Sequence, residues 1–192
     1  MKLFLTLTAW VLCSSIYAQK IVLVEGSLAP LKGQKSVKTV FTYEPMAVGK
    51  YDNEKEYIEA RKKDMKSGKG DEWEKKWYAD RKERFEPRFK ELFVKHSGIS
   101  TTDDAARYTL EIKTTKTEPG WNVGVMRSPA FIDADVWIVE TANPQKVIAK
   151  IRVTKAPGRD AMGYDFETGV RLEEAYAKMG KSLGGFIKSK AK

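Results

Sequence analysis

Cysteine and histidine are scarce in this sequence, whose 192 residues include one of each. A single cysteine can form neither a disulfide framework nor a cysteine-based zinc site. The one histidine, His96, lies at the end of a predicted helix, where a partly protonated imidazole interacts favourably with the helix dipole. We therefore interpret His96 as a helix-capping residue and expect no metal and no cofactor.

The sequence also lacks the short motifs of common catalytic sites. It contains no G-x-S-x-G nucleophile turn, no phosphate-binding loop and no G-x-G-x-x-G fingerprint after a strand. Asp133 and Asp135 form a D-x-D pair, which on a strand would direct both carboxylates to one face, where they could bind a hard cation. The alternating apolar residues around this pair favour an exposed strand face instead. These observations favour a protein that is not an enzyme.

The first eighteen residues have the pattern of a secretory signal peptide. A positive charge at Lys2 precedes an apolar run over residues 3–16, and Ala18 supplies a small residue for cleavage. The run is short for a membrane span, which needs about 20 residues. We expect cleavage after Ala18 and export to the periplasm or beyond. Residues 19–192 should then form a single globular domain without a transmembrane segment.

The mature sequence predicts an α+β fold. Strands alternate with period two and helices carry apolar residues three and four apart. The expected order is ββααβββα, with strands at 20–25, 36–43, 108–116, 130–140 and 146–154 and helices at 53–66, 72–95 and 170–189. Because strands and helices are segregated, we expect a mostly antiparallel sheet of about five strands, covered on one face by helices. Pro87 should kink or split the second helix near residues 83–86.

The chain is basic, with 35 lysines and arginines against 26 acidic residues. The excess positive charge lies on the predicted helices and in the lysine-rich C-terminal tail. Charges of both signs alternate along residues 50–96, as is typical of a solvated helix face. A nucleic-acid partner would favour a concentrated basic stripe, so we expect none.

Two long loops, 117–129 and 155–169, provide the candidate site. If strands 108–116, 130–140 and 146–154 form an antiparallel meander, both loops lie at the same edge of the sheet as the N-terminus of the last helix. Long loops in a compact domain are often functional. The candidate ligand-binding residues on these loops are Trp121, Asn122, Arg127, Arg159, Asp160, Tyr164, Asp165 and Glu167. Alternatively, Arg127 and Arg159 pair with these acids only to hold the loops together.

Four segments carry a resemblance to a known family. EPGWNVGV (118–125), ETANP (140–144), KAPGRD (155–160) and GYDFETG (163–169) resemble segments of an uncharacterised family of exported bacterial proteins. More distantly, the order of sheet and helices is similar to the N-terminal domain of the Tol translocation protein B. That resemblance implies an envelope module for assembly or interaction, and it implies no particular functional residue.

Two function classes remain open. The first hypothesis is an exported, non-enzymatic binding or interaction module of the bacterial cell envelope, with a protein or a glycan as its partner. The alternative is an enzyme that acts on envelope glycans or similar polymers through a pair of carboxylates. Its candidate acids are Asp160, Asp165 and Glu167, with Asp133 and Asp135 as further candidates.

Overall fold

The computed structural model of the protein describes residues 19–66, 68–123, 126–158 and 167–192. The predicted signal peptide, residues 1–18, lies outside the described residues, as do Arg159, Asp160, Tyr164 and Asp165 of the candidate site. Within the described part of the chain, no helix is both long and apolar enough to cross a membrane.

The chain forms both strands and helices, which confirms the predicted α+β class. The strands are β1 (Lys20–Gly26), β2 (Lys38–Thr42), β3 (Ala47–Val48), β4 (Tyr108–Glu118), β5 (Trp121–Asn122), β6 (Arg127–Ser128), β7 (Ala130–Glu140) and β8 (Asn143–Gly158). The α-helices are α1 (Glu54–Lys63), α2 (Lys69–Asp80), α3 (Glu86–Ser97) and α4 (Thr168–Lys190). Strands β5 and β6 pair with each other as a small separate hairpin.

The main sheet differs from the prediction in strand number and direction. It has six strands in the order β1–β8–β7–β4–β2, with β3 also paired to β4. Strands β2 and β3 run parallel to β4, so the sheet is mixed. The reason is the connection: the helices α1 to α3 lie between β3 and β4, and such a long crossover lets a strand return parallel to its neighbour. The expectation of a mostly antiparallel sheet of about five strands was therefore wrong in these two respects.

A π-helical segment interrupts the long helical region before Pro87. Helix α2 ends at Asp80, Arg81–Phe85 form the π-helical segment, and α3 follows directly. Proline has no amide hydrogen and crowds the carbonyl four residues earlier, so the backbone before it departs from regular α-helix. Helix α3 ends at Ser97 and is capped by Gly98, whose φ of 78° is readily adopted by glycine.

Helices α3 and α4 pack together over one face of the sheet. Their backbones approach closely where α4 carries glycine: a Cβ on Gly180 would lie 2.3 Å from the carbonyl oxygen of Phe89. Beneath them, alternate residues of β4 and β7 are buried, including Ile112 and Val136. On the opposite face Trp137 is exposed, and no helix of the described residues covers it there. The helix layer fixes the position of the α4 N-terminus at one end of the sheet.

Candidate functional site

Arg171 joins the first turn of α4 to the loop that follows β4. Its guanidinium is buried and donates from Nε to the carbonyl oxygen of Pro119 at 3.1 Å and from Nη2 to that of Gly120 at 3.2 Å. The same nitrogen donates to the Thr168 hydroxyl at 3.1 Å. These charge-assisted hydrogen bonds hold the start of the β5–β6 hairpin against the N-terminus of α4.

The turn before the hairpin requires glycine. Gly120 has a φ of 60°, and a Cβ at this position would lie 2.5 Å from the carbonyl oxygen of Ser128. The Glu118 carboxylate accepts a hydrogen bond from the Gly120 amide at 3.2 Å. Trp121 follows immediately and is 46% exposed, so the turn presents an aromatic ring to solvent.

A first cavity, of about 410 Å³, lies beside Trp121. Its lining comes from the β3–α1 connection, helix α1, the loop after β4 and the first residues of α4. The lining residues are Gly49, Lys50, Tyr51, Tyr57, Arg61, Glu118, Pro119, Gly120, Trp121, Asn122, Thr168 and Arg171. Four separate parts of the sequence therefore meet at this cavity.

A second cavity, of about 230 Å³, adjoins the first. Its lining residues are Arg61, Trp73, Lys76, Trp77, Asp80, Glu167, Thr168 and Gly169. Arg61 and Thr168 line both cavities, and the two together are called the Arg61 cleft below. The cleft lies at the N-terminus of α4, the end of the sheet at which sequence reasoning placed the candidate site.

Aromatic rings form one wall of the Arg61 cleft in an unbroken series of contacts. The ring centroids of Tyr51 and Tyr57 are 6.0 Å apart, those of Tyr57 and Trp73 are 5.9 Å apart, and those of Trp73 and Trp77 are 5.6 Å apart. Trp77 is buried, and its indole Nε1 donates to Glu54 at 2.6 Å. Tyr51 and Trp73 are half-buried, so each leaves part of its ring accessible from the cleft.

Two carboxylates of the cleft have pKa values displaced in opposite directions. Burial raises the pKa of Asp80, although the Arg84 guanidinium, whose Nε lies 3.2 Å from Oδ1, opposes this shift. A hydrogen bond from Lys76, with Nζ 3.1 Å from Oε2, lowers the pKa of the exposed Glu167. The two acids therefore differ in their readiness to carry a proton.

Three of the residues that the sequence predicted for the site line the cleft, and Arg127 does not. Trp121, Asn122 and Glu167 line the Arg61 cleft. Arg127 is the register partner of Asn122 in the hairpin, but its side chain is exposed and is not part of the cleft lining. Among the described residues, the link between the loop and α4 comes from Arg171, which binds backbone carbonyls rather than acids.

Sequence reasoning missed the α1 side of the cleft. Tyr51, Tyr57, Arg61 and Trp73 lie in residues 50–96, where the alternating charges indicate a solvated helix face. The i, i+4 spacing of Tyr57 and Arg61 places them on one face of α1 and was the available signal. Only the tertiary structure shows that this face of α1 meets the loop after β4.

The D-x-D pair lies on the uncovered face of the sheet, and each carboxylate has a protein partner. Asp135 accepts from Arg152 Nε at 2.8 Å, and Asp133 accepts from the backbone amide of Lys155 at 2.7 Å. Across residues 19–66, 68–123, 126–158 and 167–192, no group of three or more His, Cys, Asp or Glu side chains is arranged to hold a metal ion.

Comparison with known proteins gives little further information. No family model matches the chain, and no curated protein matches it. Among solved structures, the PelC dodecamer from Paraburkholderia phytofirmans is similar with a TM-score of 0.40 and 10% sequence identity, over 86% of this chain and 97% of that chain. A second PelC structure, of a single-substitution variant, gives 0.38 and 10% over 86% and 98%. Similarity at this level transfers no function.

Proposed function

We propose that this protein is an exported, non-enzymatic module of the bacterial cell envelope that binds a glycan in the Arg61 cleft. The observation that carries the proposal is the aromatic lining of the cleft, where exposed Trp121 and half-buried Tyr51 and Trp73 border the two neighbouring cavities. The export part of the proposal rests on the signal-peptide pattern of residues 1–18.

Aromatic rings suit a sugar ligand for a physical reason. The C–H face of a pyranose ring is flat and apolar, and tryptophan and tyrosine present large rigid surfaces that such a face can cover. Ligand sites also combine apolar surface with a few polar groups that orient the ligand. In the cleft, the Asn122 amide and the Thr168 hydroxyl lie among the rings and can exchange hydrogen bonds with sugar hydroxyls.

The shape of the cleft supports a chain of sugars rather than a single ring. The two cavities of about 410 and 230 Å³ are neighbours that share Arg61 and Thr168 in their linings. Trp121 borders one cavity and Trp73 the other, so successive rings of one chain can contact both tryptophans. The hydrogen bond from Arg171 to Pro119 holds the loop that carries Trp121 in place before a ligand binds. This order reduces the entropic cost of binding.

Sedimentation with purified, insoluble envelope glycan tests this function. We expect the protein to sediment with the glycan and the Trp121→Ala variant to lose about 5- to 30-fold in affinity, since a stacked ring contributes on the order of 1–2 kcal/mol. Trp137→Ala is the matched control, because Trp137 is similarly exposed but lies on the uncovered sheet face. Equal losses of affinity in both variants would contradict the proposal.

The export part is tested by N-terminal sequencing, in which the exported protein should begin at Gln19.

The second candidate function is a glycan hydrolase, and one observation favours it. Asp80 and Glu167 border the same cavity with pKa values displaced in opposite directions, the arrangement that separates an acid from a base. A binding module releases no reducing sugar ends from the glycan. Release that disappears in both Asp80→Asn and Glu167→Gln variants, with folding and binding retained, would establish the hydrolase instead.

A further inference from the structure

Arg61 occupies the junction of the cleft. Its exposed side chain lies in the last turn of α1 and borders both cavities. Its guanidinium carbon lies 5.8 Å from the centroid of the Trp73 ring. In the described ranges no carboxylate forms an ion pair with it, whereas Arg81 pairs with Glu54.

A second cation has the same arrangement at the Trp121 side of the cleft. The Nζ atom of Lys50 lies 5.4 Å from the centroid of the Tyr51 ring, and no ion pair to Lys50 is formed within the described residues. A ring face attracts a cation through its quadrupole but leaves the charge in place. Both Arg61 and Lys50 are thus positioned by aromatic rings without being neutralised by an acid.

The acidic groups of the cleft already have protein partners. Glu118 accepts the Gly120 amide, Glu167 pairs with Lys76, and Asp80 pairs with Arg84. Lys76 and Arg84 offset the negative charges of Glu167 and Asp80, and the Gly120 amide occupies one oxygen of Glu118. Arg61 and Lys50 therefore offer a ligand two cations beside the rings, while each acidic side chain of the cleft already contacts a protein donor.

We infer that the ligand of the Arg61 cleft is an acidic glycan, in which sugar carboxylates contact Arg61 and Lys50 while the sugar rings stack on the aromatic wall. This inference rests on the proposed function. Arg61 supplies the geometric selection, because a guanidinium presents two parallel N–H donors that match the two oxygens of a carboxylate. Lys50 adds a second, less directional positive charge at the Trp121 side of the cleft.

A matched pair of trisaccharides tests the inference: trigalacturonate, which carries carboxylates, and its methyl ester, which has the same sugar rings without the charges. Binding of each is measured by calorimetry at low salt to the wild-type protein and to three variants. Arg61→Gln removes the charge, and Arg61→Lys keeps the charge but removes the two parallel N–H donors. Lys63→Gln removes a charge elsewhere on α1. Lys63 is exposed and lies outside the cleft lining.

We expect trigalacturonate to bind at least about tenfold more tightly than the ester, and the preference to decrease as salt screens the charges. Arg61→Gln should remove most of this preference, Arg61→Lys should restore part of it, and Lys63→Gln should leave it unchanged. Equal binding of acid and ester that is weakened by Trp121→Ala would overturn the acidic specificity and leave glycan binding intact. Binding of neither trisaccharide, or equal losses in Arg61→Gln and Lys63→Gln, would also overturn the inference.

Discussion

The guanidinium of Arg171 donates a hydrogen bond to the carbonyl oxygen of Pro119, with 3.1 Å between Nε and O. This contact links two residues that are distant in sequence, one on α4 and the other in the loop after β4. The link determines where Trp121 lies relative to the α4 N-terminus. The Arg61 cleft therefore depends on a buried side chain that contacts the backbone beside the cleft.

Replacing Arg171 with lysine should destabilise the protein by about 2–3 kcal/mol. A lysine cannot donate to Pro119, Gly120 and Thr168 with the geometry of a guanidinium, so buried carbonyls lose partners. Urea unfolding measures the change. Arg152→Lys, at an exposed ion pair with Asp135, is the control and should cost less than about 1 kcal/mol. Similar losses in the free energy of unfolding for the two variants would contradict the structural role of the Arg171 hydrogen bonds.

Two glycines of α4 should respond to alanine in opposite directions. A Cβ on Gly180 would lie 2.3 Å from the Phe89 carbonyl oxygen, so Gly180→Ala should force α4 away from α3 and cost on the order of 2 kcal/mol. Gly185 has no heavy atom within 4 Å of its added Cβ, and Gly185→Ala should gain about 0.5–1 kcal/mol from helix propensity. Denaturant midpoints of the two variants measure the difference. A gain in Gly180→Ala would show that the helices are packed less closely.

Replacing Lys155 with glycine should stabilise the protein. Its φ of 55° costs a residue with a side chain about 1–2 kcal/mol, and Asp133 holds this conformation by accepting the Lys155 amide hydrogen. After the greater flexibility of glycine in the unfolded chain is subtracted, Lys155→Gly should gain about 0.5–1 kcal/mol. Lys146→Gly, also in β8 but without a positive φ, should lose a similar amount. Equal losses in both, measured by thermal unfolding, would contradict this account of Lys155.

Stability should decrease above pH 10 because buried phenols resist ionisation. Burial raises the pKa of both Tyr57 and Tyr176 above the usual 10.0. Each contributes stability that is complete below the unfolded pKa and is lost as pH rises toward the folded pKa, by up to about 1.4 kcal/mol per pH unit. Tyrosinate absorbance and circular dichroism followed together test this, and Tyr176→Phe should reduce the slope. Ionisation of both phenols near pH 10 in a native protein would contradict it.

The sequence patterns predicted the long elements well, and the short ones poorly. Strand β7 matches the predicted 130–140, because eleven residues of alternation exceed what chance produces. Strand β3 has only two residues, Ala47–Val48, and carries no periodicity of its own. The parallel pairing of β2 with β4 was also unpredictable from local pattern, since it depends on the path of three helices between them.

The candidate site was predicted on one side only. Reversal of chain direction in an antiparallel meander placed Trp121 and Glu167 at the same end of the sheet, and both line the cleft. The opposite side comes from α1, where Arg61 resembles any solvated arginine in the sequence. Its position over Trp73 depends on how α1 packs against α2, which local sequence does not specify.

The central claim is that the Arg61 cleft binds envelope glycan, and the indole N–H signals in nuclear magnetic resonance spectra test it most directly. Residues 19–192 contain four tryptophans: Trp73, Trp77, Trp121 and Trp137. Their signals can be assigned by single Trp→Phe variants and followed during titration with soluble fragments of envelope glycan. We predict that the Trp121 and Trp73 signals move together with one affinity while Trp137, on the uncovered sheet face, stays unchanged. Movement of Trp137 alone, or of none of the four, would contradict the account.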